Sequence, residues 1–172
     1  GMELPYGQDE IIEKLCDVNP NTVVVMFAGS PVKMPWKERV KAILWSYYSG
    51  MEGGTAIAEV LYGDVNPSGK LAETMPKSLE QCSAHSIGTF GNKDVVKFSE
   101  GVMVGYRHYD TVGAEVHFPF GHGLSYTTYS YSGLEIKKNT QNDVIVSFSV
   151  KNEGQLAGKE IVQLYVAPKA PS

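Results

Sequence analysis

The chain has 172 residues, of which 42% are hydrophobic and 20% charged, and its formal net charge is −4. This composition is typical of a soluble globular protein with one domain or two small ones. Because the charge is acidic and no basic cluster occurs, we expect no nucleic-acid partner. No apolar run approaches the roughly 18 residues that a membrane span needs, so we expect no membrane partner either.

The first half of the chain alternates helical and strand-like patterns. The segment QDEIIEKLCDV predicts a helix over 8–18, whose apolar positions share one face: Ile11, Ile12, Leu15 and Val18. Two apolar runs, 23–28 and 40–45, predict strands, the first of the parallel type that is buried on both faces. A second helix is predicted over 55–61. This order indicates an open α/β layer.

The middle of the chain gives weaker patterns. A turn cluster at 64–69 precedes a short extended piece that ends at Pro76. Residues 77–99 show no period and predict a long surface loop. The segment from Val95 to Thr111 alternates in short strand-like pieces around Gly101 and Gly105.

From Leu124 the pattern changes to a period of two. Three segments predict antiparallel strands at 125–138, 143–154 and 159–168, with turn residues between them. Three such strands are typical of the opening of a β-sandwich. We therefore expect a second, truncated domain with an unpaired edge.

Several long segments together resemble one family. NPNTVVVMFAGSPVKMPW, GMEGGTAIAEVLYGDVNPSGKLAETMP, EGVMVGYRHYDT and FPFGHGLSYTTYSYSGL occur in the order typical of glycoside hydrolase family 3, the β-glucosidase and β-xylosidase type. They cover about residues 3–135. The segment VSFSVKNEGQLAGKEIVQLYVAPKAPS resembles the start of the fibronectin type III-like domain that follows in many members.

The resemblance implies an architecture and a function. Residues 1–123 would be part of the family's C-terminal α/β sandwich, with flavodoxin-like layers, and residues 124–172 the first strands of the fibronectin-like domain. The expected parent protein is a retaining, exo-acting β-glycosidase. Its implied partners are a β-linked oligosaccharide or glycoside and an N-terminal barrel domain that is absent from these residues. Members of the family are often periplasmic or secreted.

The resemblance also implies where the catalytic groups lie. In this family the nucleophile is an aspartate of the barrel domain, and the acid/base is usually a glutamate upstream of a stretch whose tail MELPYGQDE matches. Both catalytic carboxyls are therefore expected outside this chain, which alone is predicted to be inactive. No cofactor is expected.

The remaining candidates are individual residues. Glu100 in SEGVMVGYR is a candidate catalytic acid, and Glu52 in GMEGG, Arg107 and Trp36 are candidates for substrate binding. The structural alternative for each glutamate is a buried hydrogen bond or a pair with an arginine that orients a loop. Trp36 is interpreted as a surface or interdomain contact.

Three other chemistries are not supported by the motifs. Ser125 lacks the G-x-S-x-G turn of a nucleophile, and the glycines beside His122 indicate a domain junction. The four histidines have neither helical i, i+4 pairing nor a nearby pair of cysteines, so no metal site is predicted. The segment GSPV lacks the G-x-G-x-x-G of a dinucleotide site. Cys16 is expected to be a small buried side chain.

Two functions remain open at this stage. The first is the β-glycosidase fragment, with this chain supplying scaffold and domain interfaces. The alternative is a stand-alone carbohydrate-binding or assembly module without enzymatic activity. In either case the uncovered apolar surface predicts self-association.

Overall fold

The computed structural model describes residues 1–86, 88, 91 and 94–167. The chain divides into two compact units: unit 1 is Gly1–Ile57 with Leu71–His122, and unit 2 is Ala58–Lys70 with Gly123–Ser172. The helices and strands are, in chain order, α1 (Gln8–Val18), β1 (Val23–Met26), β2 (Ala42–Trp45), α2 (Gly53–Tyr62), β3 (Met75–Pro76), α3 (Ser83–Ser86), α4 (Tyr106–Val112), β4 (Val116–Phe118), β5 (Tyr129–Lys138) and β6 (Val144–Asn152).

Helix α1 has the predicted bounds, and two acidic residues lie in its first turn, where they favour the positive end of the helix dipole. Only part of its apolar face is covered in this chain. Ile12 packs against the core and Cys16 is buried, as expected for that cysteine. The neighbouring row of the helix surface, Ile11, Leu15 and Val18, is exposed to solvent.

Strands β1 and β2 pair in parallel, with Val23 opposite Ala42 and Met26 opposite Trp45. The prediction of a parallel sheet is confirmed, but the expected burial of β1 on both faces is wrong for the described residues. Val24 and Met26 point into the core, whereas Val23 is 45% exposed. An apolar run shows that a strand is suited to burial, and the number of covering layers decides which faces are buried.

The core of unit 1 forms beside this sheet. Its buried residues are Val24, Met26, Met34, Trp36 and Met75. The Trp36 side chain is 0% exposed, and its indole Nε1–H donates a hydrogen bond to Asp9 Oδ1 at 2.7 Å. This bond connects the start of α1 to the loop that follows β1.

The strand-like pieces predicted around Gly101 and Gly105 are wrong, because the chain forms helix α4 directly after Gly105. The helix ends at Val112, and the next residue, Gly113, has a φ of +63°, the left-handed conformation of a helix C-cap. Most of the loop predicted over 77–99 has no regular structure, although it contains α3 and a 3-10 turn at Leu79–Gln81. Residues 87, 89, 90, 92 and 93 of that prediction lie outside the described residues.

In unit 2, β5 and β6 form the predicted antiparallel hairpin. Its register shifts between Ser132 and Glu135, next to Gly133, which has a φ of +63°. The third predicted strand is wrong for the part that is described, since residues 159–167 form no strand. Strand formation requires a hydrogen-bonded neighbour, and the described residues supply none to this segment.

Asn66 is the polar centre of unit 2. Its Oδ1 accepts hydrogen bonds from Ser125 Oγ at 2.9 Å and from the backbone N–H of Tyr126 at 2.8 Å. Its Nδ2–H donates to the carbonyl of Ala157 at 3.0 Å. One side chain thus joins three parts of the chain that are far apart in sequence.

The longest helix in the described part of the chain is α1, with 11 residues. None of the described helices combines the length and the apolar character needed to cross a bilayer.

Candidate functional site

The carboxyl ends of β1 and β2 lie at the same edge of the sheet, the position where open α/β sheets place ligands. The chain turns sharply after β2, because Tyr47 has a φ of +49° although it is not a glycine. Gly29 follows β1, and a Cβ atom on it would overlap the ring of Tyr48. The exposed Tyr48 ring lies over the backbone at this glycine, and a larger residue at position 29 would displace the ring.

Unit 1 contains an open cleft of about 490 Å³, hereafter the Glu73 cleft. Its walls come from the loop after β1, the segment leading into β3, helix α3 and helix α4. Glu73, Thr74, Cys82, Tyr109 and Phe120 are among the lining residues. Glu73 and Thr74 are adjacent in the sequence, whereas Tyr109 and Phe120 come from distant parts of the chain and are brought to them only by the fold.

Glu73 is the only charged side chain among the described residues that line the cleft. Burial raises the pKa of its carboxyl above the usual range. In the described part of the chain this carboxylate makes no hydrogen bond and no ion pair. A desolvated carboxylate without donors is a strong acceptor for a ligand that brings O–H or N–H groups.

Tyr109 and Cys82 form a second polar contact in the cleft wall. The Tyr109 hydroxyl donates a hydrogen bond to Cys82 Sγ at 3.6 Å. Burial, followed by this hydrogen bond, raises the pKa of the Tyr109 hydroxyl. Tyr109 therefore stays neutral at physiological pH and offers a hydroxyl rather than a charge.

A smaller pocket of about 330 Å³ in unit 1 is lined by two lysines, two glutamates and His117. Lys77 Nζ lies 2.6 Å from Glu115 Oε2, and this bond lowers the pKa of Glu115. Burial, and then the nearby lysines, lower the pKa of His117. An exposed, lysine-paired carboxyl with a lowered pKa is poorly suited to act as a general acid.

The structure places the candidate acid Glu100 in a turn before α4, where its carbonyl accepts a hydrogen bond from Met103 N at 2.9 Å. One carboxylate oxygen, Oε2, is buried and has no hydrogen-bond partner within the described residues. Arg107 is exposed on α4, 5.8 Å from the ring centroid of Tyr106. Among the described residues the two form no ion pair, so the arginine pairing offered as the structural alternative is not observed.

Glu52 lies immediately before α2. Its carbonyl accepts a hydrogen bond from Ala56 N at 3.0 Å, and Thr55 Oγ1 donates to its carboxylate at 3.4 Å. The first is the opening backbone hydrogen bond of the helix, and the second joins the Glu52 side chain to the first turn. They agree with a role in loop orientation, and Glu52 lines neither of the two pockets described above.

The interpretation of Trp36 as a surface contact is wrong. Its complete burial leaves no ring face for stacking on a sugar, and its N–H is already bonded to Asp9. Trp36 follows Met34-Pro35, which indicates a loop, and loops usually lie at the surface. In the structure this loop folds back over the core.

The segment from Phe118 to Tyr131 contains the His122 and Ser125 discussed above. The His122 ring stacks on Phe118 with the ring centroids 4.9 Å apart, and the His122 carbonyl accepts a hydrogen bond from Leu71 N at 2.8 Å. Ser125 donates to Asn66. Both side chains thus have structural contacts, and the division between the two compact units falls between His122 and Gly123.

Sequence reasoning did not identify Glu73, Tyr109 or Cys82 as site residues. Glu73 is the one acid in the short segment KLAETMP, but nothing in that segment indicates a cleft. Tyr109 and Phe120, which line the cleft with it, lie more than 30 positions away in the chain. The described residues contain no group of three or more metal-binding side chains.

Comparisons with known proteins place this α/β fold in one family. The model of the glycosyl hydrolase family 3 C-terminal domain matches residues 1–126. Thermostable beta-glucosidase B of Acetivibrio thermocellus is 50% identical over 168 residues, which cover 96% of this chain and 22% of that protein. Beta-glucosidase BoGH3A of Bacteroides ovatus is 46% identical over 170 residues, covering 95% and 23% respectively.

A solved structure gives the same result. DesR, a beta-glucosidase from Streptomyces venezuelae in complex with D-glucose, superposes with a TM-score of 0.84 at 39% identity. The match covers 89% of this chain and 20% of that one. The chain therefore belongs to glycosyl hydrolase family 3, and it spans 22% and 23% of the length of the two curated relatives. The expected fibronectin type III-like domain stays a prediction.

Proposed function

We propose that this chain is part of a retaining, exo-acting β-glycosidase that hydrolyses β-glucosides or β-xylosides. In this proposal the chain builds the scaffold and the domain interfaces of the active site, and the catalytic carboxylates belong to other parts of a longer polypeptide. The observation that carries the proposal is the 50% identity over 168 residues to a protein named as a β-glucosidase.

The carboxyls of this chain support the division of roles. A retaining glycosidase needs two carboxyls about 5–5.5 Å apart, one of them with a raised pKa. The Glu73 cleft presents one carboxyl among its described residues. The smaller pocket presents Glu38 and Glu115, but each is paired with a lysine, at 3.1 Å and 2.6 Å. Neither pocket supplies an acid and a nucleophile together.

A chimera tests the proposal. This chain would replace the matching segment of the Acetivibrio thermocellus protein. Hydrolysis of 4-nitrophenyl β-D-glucoside would then be measured for the chimera and for this chain alone. We expect the folded chimera to hydrolyse the glucoside and the chain alone not to do so. Proton NMR during the reaction should show β-glucose as the first anomer, as retention requires.

Two results would contradict the proposal. One is a chimera that folds, by circular dichroism and thermal unfolding, but has no activity. The other is turnover by the chain alone that Glu73→Gln or Glu100→Gln removes. Saccharide binding without turnover in either protein would favour the alternative of a carbohydrate-binding module, for which the open cleft is the specific observation.

A further inference from the structure

Arg107 lies at the rim of the Glu73 cleft. Tyr106 and Tyr109 are three positions apart, so they share one face of helix α4, and both line the cleft. Helix geometry turns Arg107 about 100° away from Tyr106. Its side chain is exposed and makes no ion pair among the described residues. The rim therefore carries a guanidinium for which the described residues supply no carboxylate.

Glu73 is the complementary group inside the cleft. Its carboxylate has no hydrogen-bond donor among the described residues, and burial raises its pKa because the charged form is poorly solvated. The α-ammonium of Gly1 lies in the same lining. It acts on Glu3, whose pKa is lowered mainly by a hydrogen bond from Lys33 and in smaller part by this ammonium. Burial is the only cause of the pKa shift of Glu73, so the ammonium does not serve as its partner.

The walls of the cleft suit a guanidinium better than an ammonium. Phe120 stacks on Tyr106 with the ring centroids 5.3 Å apart, and both rings line the cleft. A guanidinium can pair with a carboxylate and stack on an aromatic ring at the same time, and it is more weakly hydrated than an ammonium. The Tyr109 hydroxyl donates its proton to Cys82 Sγ, so its oxygen is still able to accept. One arginine side chain can use all three kinds of group.

The segment that leads into α4 exposes apolar side chains next to this rim. The exposed large apolar residues between positions 95 and 112 are Val95, Val96, Phe98, Val102, Val104 and Val112. Val104 is followed directly by Gly105 and Tyr106, which line the cleft. Residues 95–112 and the Glu73 cleft together are hereafter called the α4 face. Exposed apolar surface that is rimmed by charged groups is typical of protein–protein contact sites.

We infer that the α4 face is the interface of a symmetric dimer of this chain, in which Arg107 of each copy binds Glu73 of the other. A twofold interface repeats every contact in both directions, and the α4 face carries both members of the pair side by side. The apolar side chains of residues 95–112 surround the two ion pairs and exclude water, which strengthens them. Of the two arginines in the chain, Arg39 is already bonded to Asp17, so Arg107 is the one available to a second copy.

Sedimentation velocity of the 172-residue chain over a range of concentrations tests the inference. Every sample carries Phe148→Glu, which is expected to reduce any separate association through the β5–β6 hairpin. In this background we expect a monomer–dimer equilibrium. Glu73→Arg and Arg107→Glu each place like charges opposite one another at both contacts and should weaken the dimer by about a hundredfold or more. Glu10→Arg makes the same change of charge on the exposed face of α1 and should leave the dimer unchanged.

Mixing the two single variants distinguishes a lost contact from a lost fold. In a mixed dimer, Arg107 of the Glu73→Arg copy meets Glu73 of the Arg107→Glu copy, and the two substituted side chains form a second pair of opposite charge. We expect the equimolar mixture to dimerise with an affinity within about threefold of the unsubstituted chain, although neither variant does so alone. A variant that cannot fold is not rescued in this way.

The inference is overturned if the chain is monomeric at all concentrations in this background, or if both charge reversals leave the dimer affinity unchanged. A mixture that stays monomeric while circular dichroism shows both variants to be folded also overturns it. If a charge reversal unfolds the chain, the milder Glu73→Gln and Arg107→Gln replace it, and each should weaken the dimer about tenfold. All of these outcomes are independent of the hydrolysis measured for the chimera.

Discussion

The hydrogen bond between Trp36 and Asp9 allows a quantitative test of the core of unit 1. The Nε1–Oδ1 distance is 2.7 Å, the indole is completely buried and Asp9 is half-buried. Asp9→Ala leaves the N–H unpaired, which typically costs about 1.5–3 kcal/mol when the lost acceptor is charged. We expect a loss of about 2 kcal/mol in the free energy of unfolding, measured by urea titration with circular dichroism.

The control for this prediction is Glu10→Ala, which removes a second acid from the first turn of α1 and so changes the interaction with the helix dipole equally. We expect that variant to lie within about 0.5 kcal/mol of the wild type. Trp36→Phe removes the indole N–H. In that background, Asp9→Ala should lower the free energy of unfolding by at least about 1 kcal/mol less than it does with tryptophan present. Equal losses in both backgrounds, or equal losses for Asp9→Ala and Glu10→Ala, would refute the reasoning.

Three further predictions concern unit 2, the smaller pocket and association. Asn66→Ala removes three hydrogen bonds and should lower the free energy of unfolding by about 2 kcal/mol or more, whereas Asn21→Ala at an exposed position should change it by less than about 0.5 kcal/mol. The lowered pKa of His117 means that the folded state binds its proton less readily than the unfolded state. The free energy of unfolding therefore has its full value above the unfolded pKa of His117, about 6.5, and decreases as the pH falls from there through the folded pKa. His117→Asn should make this decrease smaller, as measured by thermal unfolding at several pH values. The exposed apolar side chains of β5 and β6 predict self-association, which Phe148→Glu should reduce. Light scattering that shows a monomer at all concentrations for the wild type would contradict this last prediction.

Local patterns predicted the elements whose stability depends mainly on their own residues. The bounds of α1 and the presence of α2 follow from apolar spacing. The β5–β6 hairpin follows from alternation on either side of a polar turn. A helix satisfies its own backbone hydrogen bonds. Each strand of the hairpin has as its partner the neighbouring strand in the chain. Such elements can be inferred without knowledge of distant contacts.

The failed predictions have a common physical origin. The segment 159–167 has a strand pattern, but a strand forms only where a neighbour completes its ladder. Helix α4 was missed because glycines and β-branched residues precede it, and the helix begins only after the last of those glycines. Trp36 was placed at the surface because the residues around it are typical of a loop. A loop can still cover a core, and its own sequence does not show this.

The family can be inferred from the sequence alone, because several long segments that occur in a fixed order are specific to it. It also determined the α/β class, since periods of 3.6 and 2 follow from backbone geometry. The three-dimensional fold was needed to show that Glu73 and Phe120 line the same cleft and that Glu73 has no hydrogen-bond donor among the described residues. Burial and pKa depend on distances between residues far apart in the chain, and folding alone sets those distances.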